Sequence, residues 1–152
     1  MSVKQAVRRQ YQAVVDLTQG GNIQVPSEGW IRTVRKALGM SGAQLARRMG
    51  VTRARIAQVE QAELEGGVTL KSMQATAEAM GCRFVYAFVP PETIENLIIA
   101  QARKKAQAIV ATAGKHMALE DQTVTEGRTR QEMTRLMNEL IHEMPSDFWQ
   151  DK

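Results

Sequence analysis

Residues 41–61, SGAQLARRMGVTRARIAQVEQ, decide how the chain is read. Ser41 is a helix-capping residue, and Leu45, Ala46 and Met49 follow it as an apolar stripe. Gly50 closes that helix and can adopt the positive φ that a tight turn demands. Thr52 then caps a second helix whose Ile56 and Val59 face inward. Ala46 is small, as needed where two helices approach closely, and Leu45, Val51, Ile56 and Val59 are expected to lock the pair together. The second helix opens with Arg53 and Arg55, and Gln58 lies one turn further on. Cations are disfavoured at the positive end of a helix dipole, so this placement points to an anion waiting there.

The flanking sequence continues the pattern. GWIRTVRKALG reads as a short helix stopped by Gly39. After the Gly66-Gly67 break, Thr69 caps TLKSMQATAEAMG, with Leu70, Met73, Ala77 and Met80 inward and Gly81 as the stop. Four short helices between Gly29 and Gly81 have the density of a small helical domain. Upstream, SVKQAVRRQYQAVVDLTQ places Val3, Val7, Tyr11, Val14 and Leu17 at helical spacing and ends at Gly20-Gly21; NIQVPSEG is a loop. Downstream, CRFVYAFVPP is aromatic, β-branched and closed by prolines, which predicts a strand. A lone strand needs a partner for its backbone groups, and antiparallel pairing of Cys82–Val89 with a second subunit would supply one. The alternative is an extended connector buried against the helices. Beyond Pro91, Ile94, Ile98, Ala102, Ala106, Ile109 and Ala113 form one stripe. After a break around Glu120–Gly127, Met133, Leu136, Met137, Leu140, Ile141 and Met144 form another. Both read as amphipathic helices for core or dimer packing.

At 152 residues, with 43% hydrophobic and 24% charged positions, the composition is globular, and scarce aromatics with many helix formers predict a mainly α protein. The net charge of +4 is uneven: residues 1–60 hold ten Lys/Arg against three Asp/Glu, residues 61–152 ten against thirteen. A basic first part suggests a polyanion-binding module. One cysteine, Cys82, excludes an internal disulfide, and no signal peptide or membrane-spanning run is found; the cytoplasm is expected.

Helix, Gly50 turn and helix make helix-turn-helix geometry, in which the second helix enters the major groove. Leu45-Ala46, Gly50-Val51-Thr52, Ile56, Glu60, Thr69-Leu70 and Gly81 resemble the Cro/C1-type (XRE, lambda repressor-like) helix-turn-helix family over about residues 30–81. A longer resemblance, through GWIRTVRKALGMS, QVEQAELEGGVTLKS and CRFVYAFVP, is to the family of mobile mystery protein A, typically encoded beside a Fic-domain protein. The resemblance implies a DNA-binding regulator in a two-gene, toxin-antitoxin-like module. It also implies that Thr52 caps the recognition helix and holds a phosphate, and that Arg53 grips guanine while Ala54 touches a thymine methyl. Gln58 would read adenine and Arg55 would clamp phosphate, with backbone contacts from Ser41, Gly42 and Gln44. Ala54 departs from the longer polar side chain common there. Arg35 and Glu60 match positions where the family often places a partly buried ion pair, here expected to be structural.

Catalysis has little support. His116 and His142 stand on helices without a cysteine or acidic pair at ligand spacing, and HEM at 142–144 lacks the second histidine of a zinc-protease helix. Cys82 reads as a small buried side chain, and Gly66-Gly67 as a helix stop. No enzyme activity, metal or cofactor is expected. Neither TVTEG at 123–127 nor QAELEG at 61–66 fits the inhibitory motif of Fic partners. The sequence thus predicts an N-terminal helix and loop (1–27) and a helix-turn-helix domain (28–81). A dimer-pairing strand (82–91) and a C-terminal helical region (92–152) follow. The expected function is an autorepressor, homodimeric on a palindromic operator in double-stranded DNA. The alternative is a protein-binding antitoxin or adaptor that acts on a Fic-type partner through the C-terminal helices.

Overall fold

A computed structural model describes residues 2–18, 21, 23–119 and 126–151, with the side chains of 114–119 and 126 outside that set. The described residues form seven helices and no strand, so the protein is mainly helical. They divide into two compact units, Gly21–Ala87 and Met1–Gly20 with Phe88–Lys152.

The first unit holds α2 (Trp30–Ala37), α3 (Gly42–Met49), α4 (Arg53–Glu65) and α5 (Leu70–Ala79). Local chemistry sets the starts of three of these helices. Ser41, Thr52 and Thr69 each accept a hydrogen bond from the backbone N–H three residues on, at 3.0–3.1 Å. Burial then joins the helices: Ile31, Leu45, Ala46, Ile56, Val59, Met73 and Met80 form one core, ringed by Val34, Met40, Met49, Val68, Ala79 and Phe84. Two apolar side chains expected inside point outward, Val51 in the turn and Leu70 at the start of α5. Thr76 is buried instead, its hydroxyl satisfied by the Ser72 carbonyl at 2.7 Å.

Within one copy of the chain the expected strand is not formed. Residues 82–90 carry neither helix nor ladder, because no described segment of the chain offers a second edge. The segment is not the buried connector either: Phe84 reaches the core, while Val85, Tyr86, Phe88 and Val89 are exposed. Cys82 is likewise exposed rather than buried.

In the second unit, α6 (Ile94–Leu119) and α7 (Glu126–Glu143) form a hairpin, the start of α6 lying against the end of α7. Ile98, Ala102 and Phe148 are its buried centre, with Ile94, Met137, Leu140, Ile141 and Met144 packed around them. Gln101 fixes the tail by donating to the Phe148 carbonyl at 2.8 Å. Ile109 and Ala113, expected on the buried stripe of α6, are exposed. The break expected at 120–127 falls mostly outside the described residues, as does TVTEG. α1 (Val3–Asp16) belongs to this unit, and its last residue caps α6, Asp16 accepting from the Ile94 N–H at 3.0 Å. The sequence pattern separates residues 1–27 from 92–152; the structure joins α1 to α6 and α7.

Candidate nucleic-acid interface

The interface is built on the α3–turn–α4 unit. Ser41 and Gln44 close a capping box: Ser41 Oγ accepts from the Gln44 N–H at 3.1 Å, and Gln44 Oε1 accepts from the Ser41 N–H at 2.8 Å. That leaves the Gln44 Nε2 donors uncommitted among the described residues. Gly50 ends α3 in the left-handed conformation (φ 67°, ψ 32°), and the Val51 N–H closes back on the Ala46 carbonyl at 2.9 Å. The chain enters α4 two residues later. A Cβ on Gly42 would lie 4.0 Å from Ile56 Cγ2, so the start of α3 sits over the first turn of α4.

On α4, Ile56, Val59 and Glu60 are buried. At 100° per residue, Ala54, Gln58 and Gln61 fall opposite them, with Arg53 and Arg55 on the two shoulders. All five are exposed. Gln61, absent from the sequence-based site, shares the stripe of Ala54 and Gln58 at the i, i+4, i+7 spacing; it donates to Glu65 Oε1 at 3.0 Å. In the first turn, the Arg55 N–H is taken by Thr52 Oγ1. The N–H groups of Arg53 and Ala54 have no helical acceptor and remain open. Two open N–H groups flanked by two guanidinium groups offer the donors and charge that an anion would need.

The charges of this unit are divided between two tasks. Arg35 Nε lies 2.7 Å from Glu60 Oε1 and Arg32 Nε lies 3.4 Å from Glu60 Oε2. Arg35 also donates to the Met40 carbonyl at 3.1 Å. These contacts tie α2 to the buried back of α4. Lys36 pairs with Glu28 at 2.9 Å, which holds the exposed Glu28 carboxyl below its usual value, chiefly through the hydrogen bond. Arg48 Nε closes the end of α5 on the Ala79 carbonyl at 2.7 Å. Arg47, Arg53, Arg55, Lys71 and Arg83 make no ion pair among the described residues.

Glu63 is the functional-site neighbour that sequence reasoning missed. α2 has no side-chain cap of its own; its N-cap is Gly29, at φ 85° and ψ 158°, a region open essentially to glycine alone. The Glu63 carboxylate reaches over from α4 and accepts from the N–H groups of Trp30 (2.6 Å) and Ile31 (3.0 Å). A Cβ at position 29 would stand 3.0 Å from Glu63 Cδ. The available signal was a glycine where a capping side chain is wanted.

Residues 31–86 match the helix-turn-helix family model of the XRE type. That span is similar to the helix-turn-helix family and has its helix, turn and helix arrangement. It takes in α2 to α5 apart from Trp30, a little over a third of the chain, and the family is one of DNA-binding rather than enzymatic domains. Searches among curated proteins and among solved structures returned no significant match.

His142 Nδ1 lies 3.0 Å from Gln5 Nε2, and the His116 side chain is outside the described residues. Gly66 caps the end of α4 in the left-handed conformation. Among the described residues, no group of three His, Cys, Asp or Glu could hold a metal ion, and no helix is long and apolar enough to cross a membrane.

Proposed function

We propose that the protein is a sequence-specific transcriptional regulator that represses its own two-gene, toxin-antitoxin-like module as a homodimer on a palindromic operator. The observation that carries the reading is the exposed stripe of α4 on a matched helix-turn-helix domain, flanked by two arginines with no counter-ion among the described residues. Gln58 and Arg53 would make base-edge contacts, Ala54 would touch a thymine methyl, and Arg55 would clamp phosphate with the Thr52 cap. Ser41, Gly42 and Gln44, at the start of α3, would hold the neighbouring backbone. Two recognition helices would enter successive major grooves about 34 Å apart and block polymerase.

Fluorescence anisotropy with DNA from immediately upstream of the gene, against scrambled DNA at several salt concentrations, tests this. Selective binding that falls steeply with salt is expected. Arg53→Ala relaxes specificity at one base per half-site, about 1–3 kcal/mol, whereas Arg55→Ala weakens every sequence alike. Equal losses on all sequences for both variants would refute the division of labour, and sequence-indifferent binding by the wild type would refute the regulator.

A second reading, an antitoxin or adaptor acting on a Fic-type partner through residues 92–152, draws on the exposed Leu97, Ile109 and Trp149 of that region. Deletion after Pro91 separates the two: it abolishes a partner complex under this reading and mainly weakens cooperativity under the first.

A further inference from the structure

α1 wears its apolar face outward. Val3, Val7, Tyr11, Val14 and Leu17 fall within about 120° of arc at 100° per residue. Their exposures are 83, 43, 72, 65 and 83%, and no residue of the helix is buried. The opposite, polar side faces its own unit. Gln5 meets His142 at 3.0 Å, Arg8 donates to the Ile141 carbonyl at 3.3 Å, and Asp16 caps α6. Grooves of about 540 and 530 Å³ flank this polar seat, both reaching Ile98. At the far end of the helix, Thr18 Oγ1 donates to the Phe88 carbonyl, and Phe88 is 88% exposed. An amphipathic helix ordinarily turns its apolar stripe to the core. Here polar contacts hold the helix while its stripe is left uncovered.

We propose that α1 is the surface through which two copies of this chain associate, packed antiparallel about a two-fold axis with Val7 of one copy against Val14 of the other. This deepens the homodimer of the proposed function and rests on that part of it. Two observations commit the face to a second copy. The first is area. Taking about 150 Å² per residue, the low end for a large side chain because three of the six are valines, the five residues and Phe88 expose on the order of 650 Å². That exceeds the largest apolar patch of a typical monomer, about 300–600 Å², and approaches the roughly 800 Å² per partner of a standard stable interface.

The second is charge. α1 carries Lys4, Arg8 and Arg9 in its first half and Asp16 as its last residue, with no acid in the first turn and no base in the last. That order opposes the helix dipole. Arg8 and Asp16 stay on the side that faces their own unit, but in an antiparallel pair Lys4, which flanks the stripe, lies beside the carbonyl end of the other helix, where Leu17 terminates it. The apolar face itself carries no charge, so nothing in it repels an identical face. Because a two-fold interface is self-complementary, residues 3 and 17, and 7 and 14, meet across the axis.

Sedimentation of the full chain at micromolar concentration, with Val7→Lys and Val14→Glu variants, tests the proposal. Both side chains are outside the core, so the variants keep the wild-type helical circular dichroism. A dimer is expected for the wild type. Each variant alone self-associates at least about 100-fold more weakly, since each pairing buries two unpaired charges. An equimolar mixture of the two variants restores the dimer, because the lysine introduced in one copy now meets the glutamate introduced in the other. A monomeric wild type would overturn the proposal, as would variants that dimerise unchanged or a mixture that stays monomeric. Loss of helical signal in both variants would place the face inside the chain and also overturn it. So would a monomer that co-sediments with anionic phospholipid vesicles, which would assign the face to lipid. Anisotropy on a single half-site keeps the two proposals apart. A monomer that still binds the half-site selectively sinks the interface alone, and a dimer that binds no DNA selectively sinks the regulator alone.

Discussion

Replacing Glu63 by alanine removes the cap of a helix that has no other. The carboxylate satisfies two of the four backbone N–H groups at the start of α2, at 2.6 and 3.0 Å, and the second belongs to the buried Ile31. Loss of an ordinary N-cap costs about 0.5–2 kcal/mol. A negative charge at the positive end of a helix is worth about 0.3–1 kcal/mol more, and hydrogen bonds to a charged group lie at the strong end of the range. Together these give about 2–3 kcal/mol for Glu63→Ala. Glu63→Gln keeps one carbonyl oxygen and loses the charge, so about half of that is expected. The unit can be followed separately, because Trp30 stands at the start of α2 and the other tryptophan, Trp149, is exposed in the other unit. In a Trp149→Phe background, urea unfolding read by Trp30 fluorescence reports on this unit alone. With a slope of about 1 kcal/mol per molar, Glu63→Ala lowers the midpoint by about 2 M and Glu63→Gln by about 1 M. A shift under about 0.5 M for Glu63→Ala would refute the capping argument, since solvent would then be serving those N–H groups equally well.

Glu60→Ala strands the Arg35 guanidinium, only 15% exposed, and is expected to cost about 3–5 kcal/mol, whereas Arg35→Met with Glu60→Leu recovers most of it. The same tryptophan assay reads both, and a double variant no better than the single one would count against a desolvated pair. Lys36→Ala removes the hydrogen bond that depresses Glu28, so the Glu28 carboxyl moves up toward its ordinary value in an NMR titration. Since a depressed carboxyl stabilises above its unfolded value and loses that contribution as pH falls through the folded one, the variant also loses the acid-side slope due to Glu28. An unmoved titration would assign the depression to another group.

What the sequence made legible was local. Ser41, Gly50, Thr52 and Thr69 act within three to five residues, and their turn and cap chemistry holds wherever the rest of the chain lies. The capping of α2 was hidden because Glu63 acts from more than thirty positions away, and Phe148 joins α6 from nearly fifty. Periodicity also names a face without giving its direction. The stripe of α1 was plain in Val3, Val7, Tyr11 and Val14, but only coordinates place it toward solvent. Residues at the edges of turns, Val51 and Leu70, take their orientation from the turn rather than from the helical period. Residues 82–89 have strand composition, yet a ladder needs a second edge, and no described segment of one copy supplies it.

Why would α4 carry Arg53 and Arg55 in its first turn and Glu60, Glu63 and Glu65 in its second half? Each placement opposes the helix dipole, at some tenths of a kcal/mol apiece. The carboxylates are compensated inside the chain. Glu60 receives Arg35 and Arg32, Glu63 receives the start of α2, and Glu65 receives Gln61. Two of these contacts also hold α4 from behind at two points one turn apart, which fixes its position relative to α2 and leaves its front unobstructed. The arginines have no such partner among the described residues. An anion at that end of α4 would therefore meet open N–H groups and two unpaired cations on a helix already fixed in place, so binding needs little further ordering of the protein. Phosphate suits that end in charge and in hydrogen-bonding capacity, and it would bring the exposed stripe of Ala54, Gln58 and Gln61 against base edges.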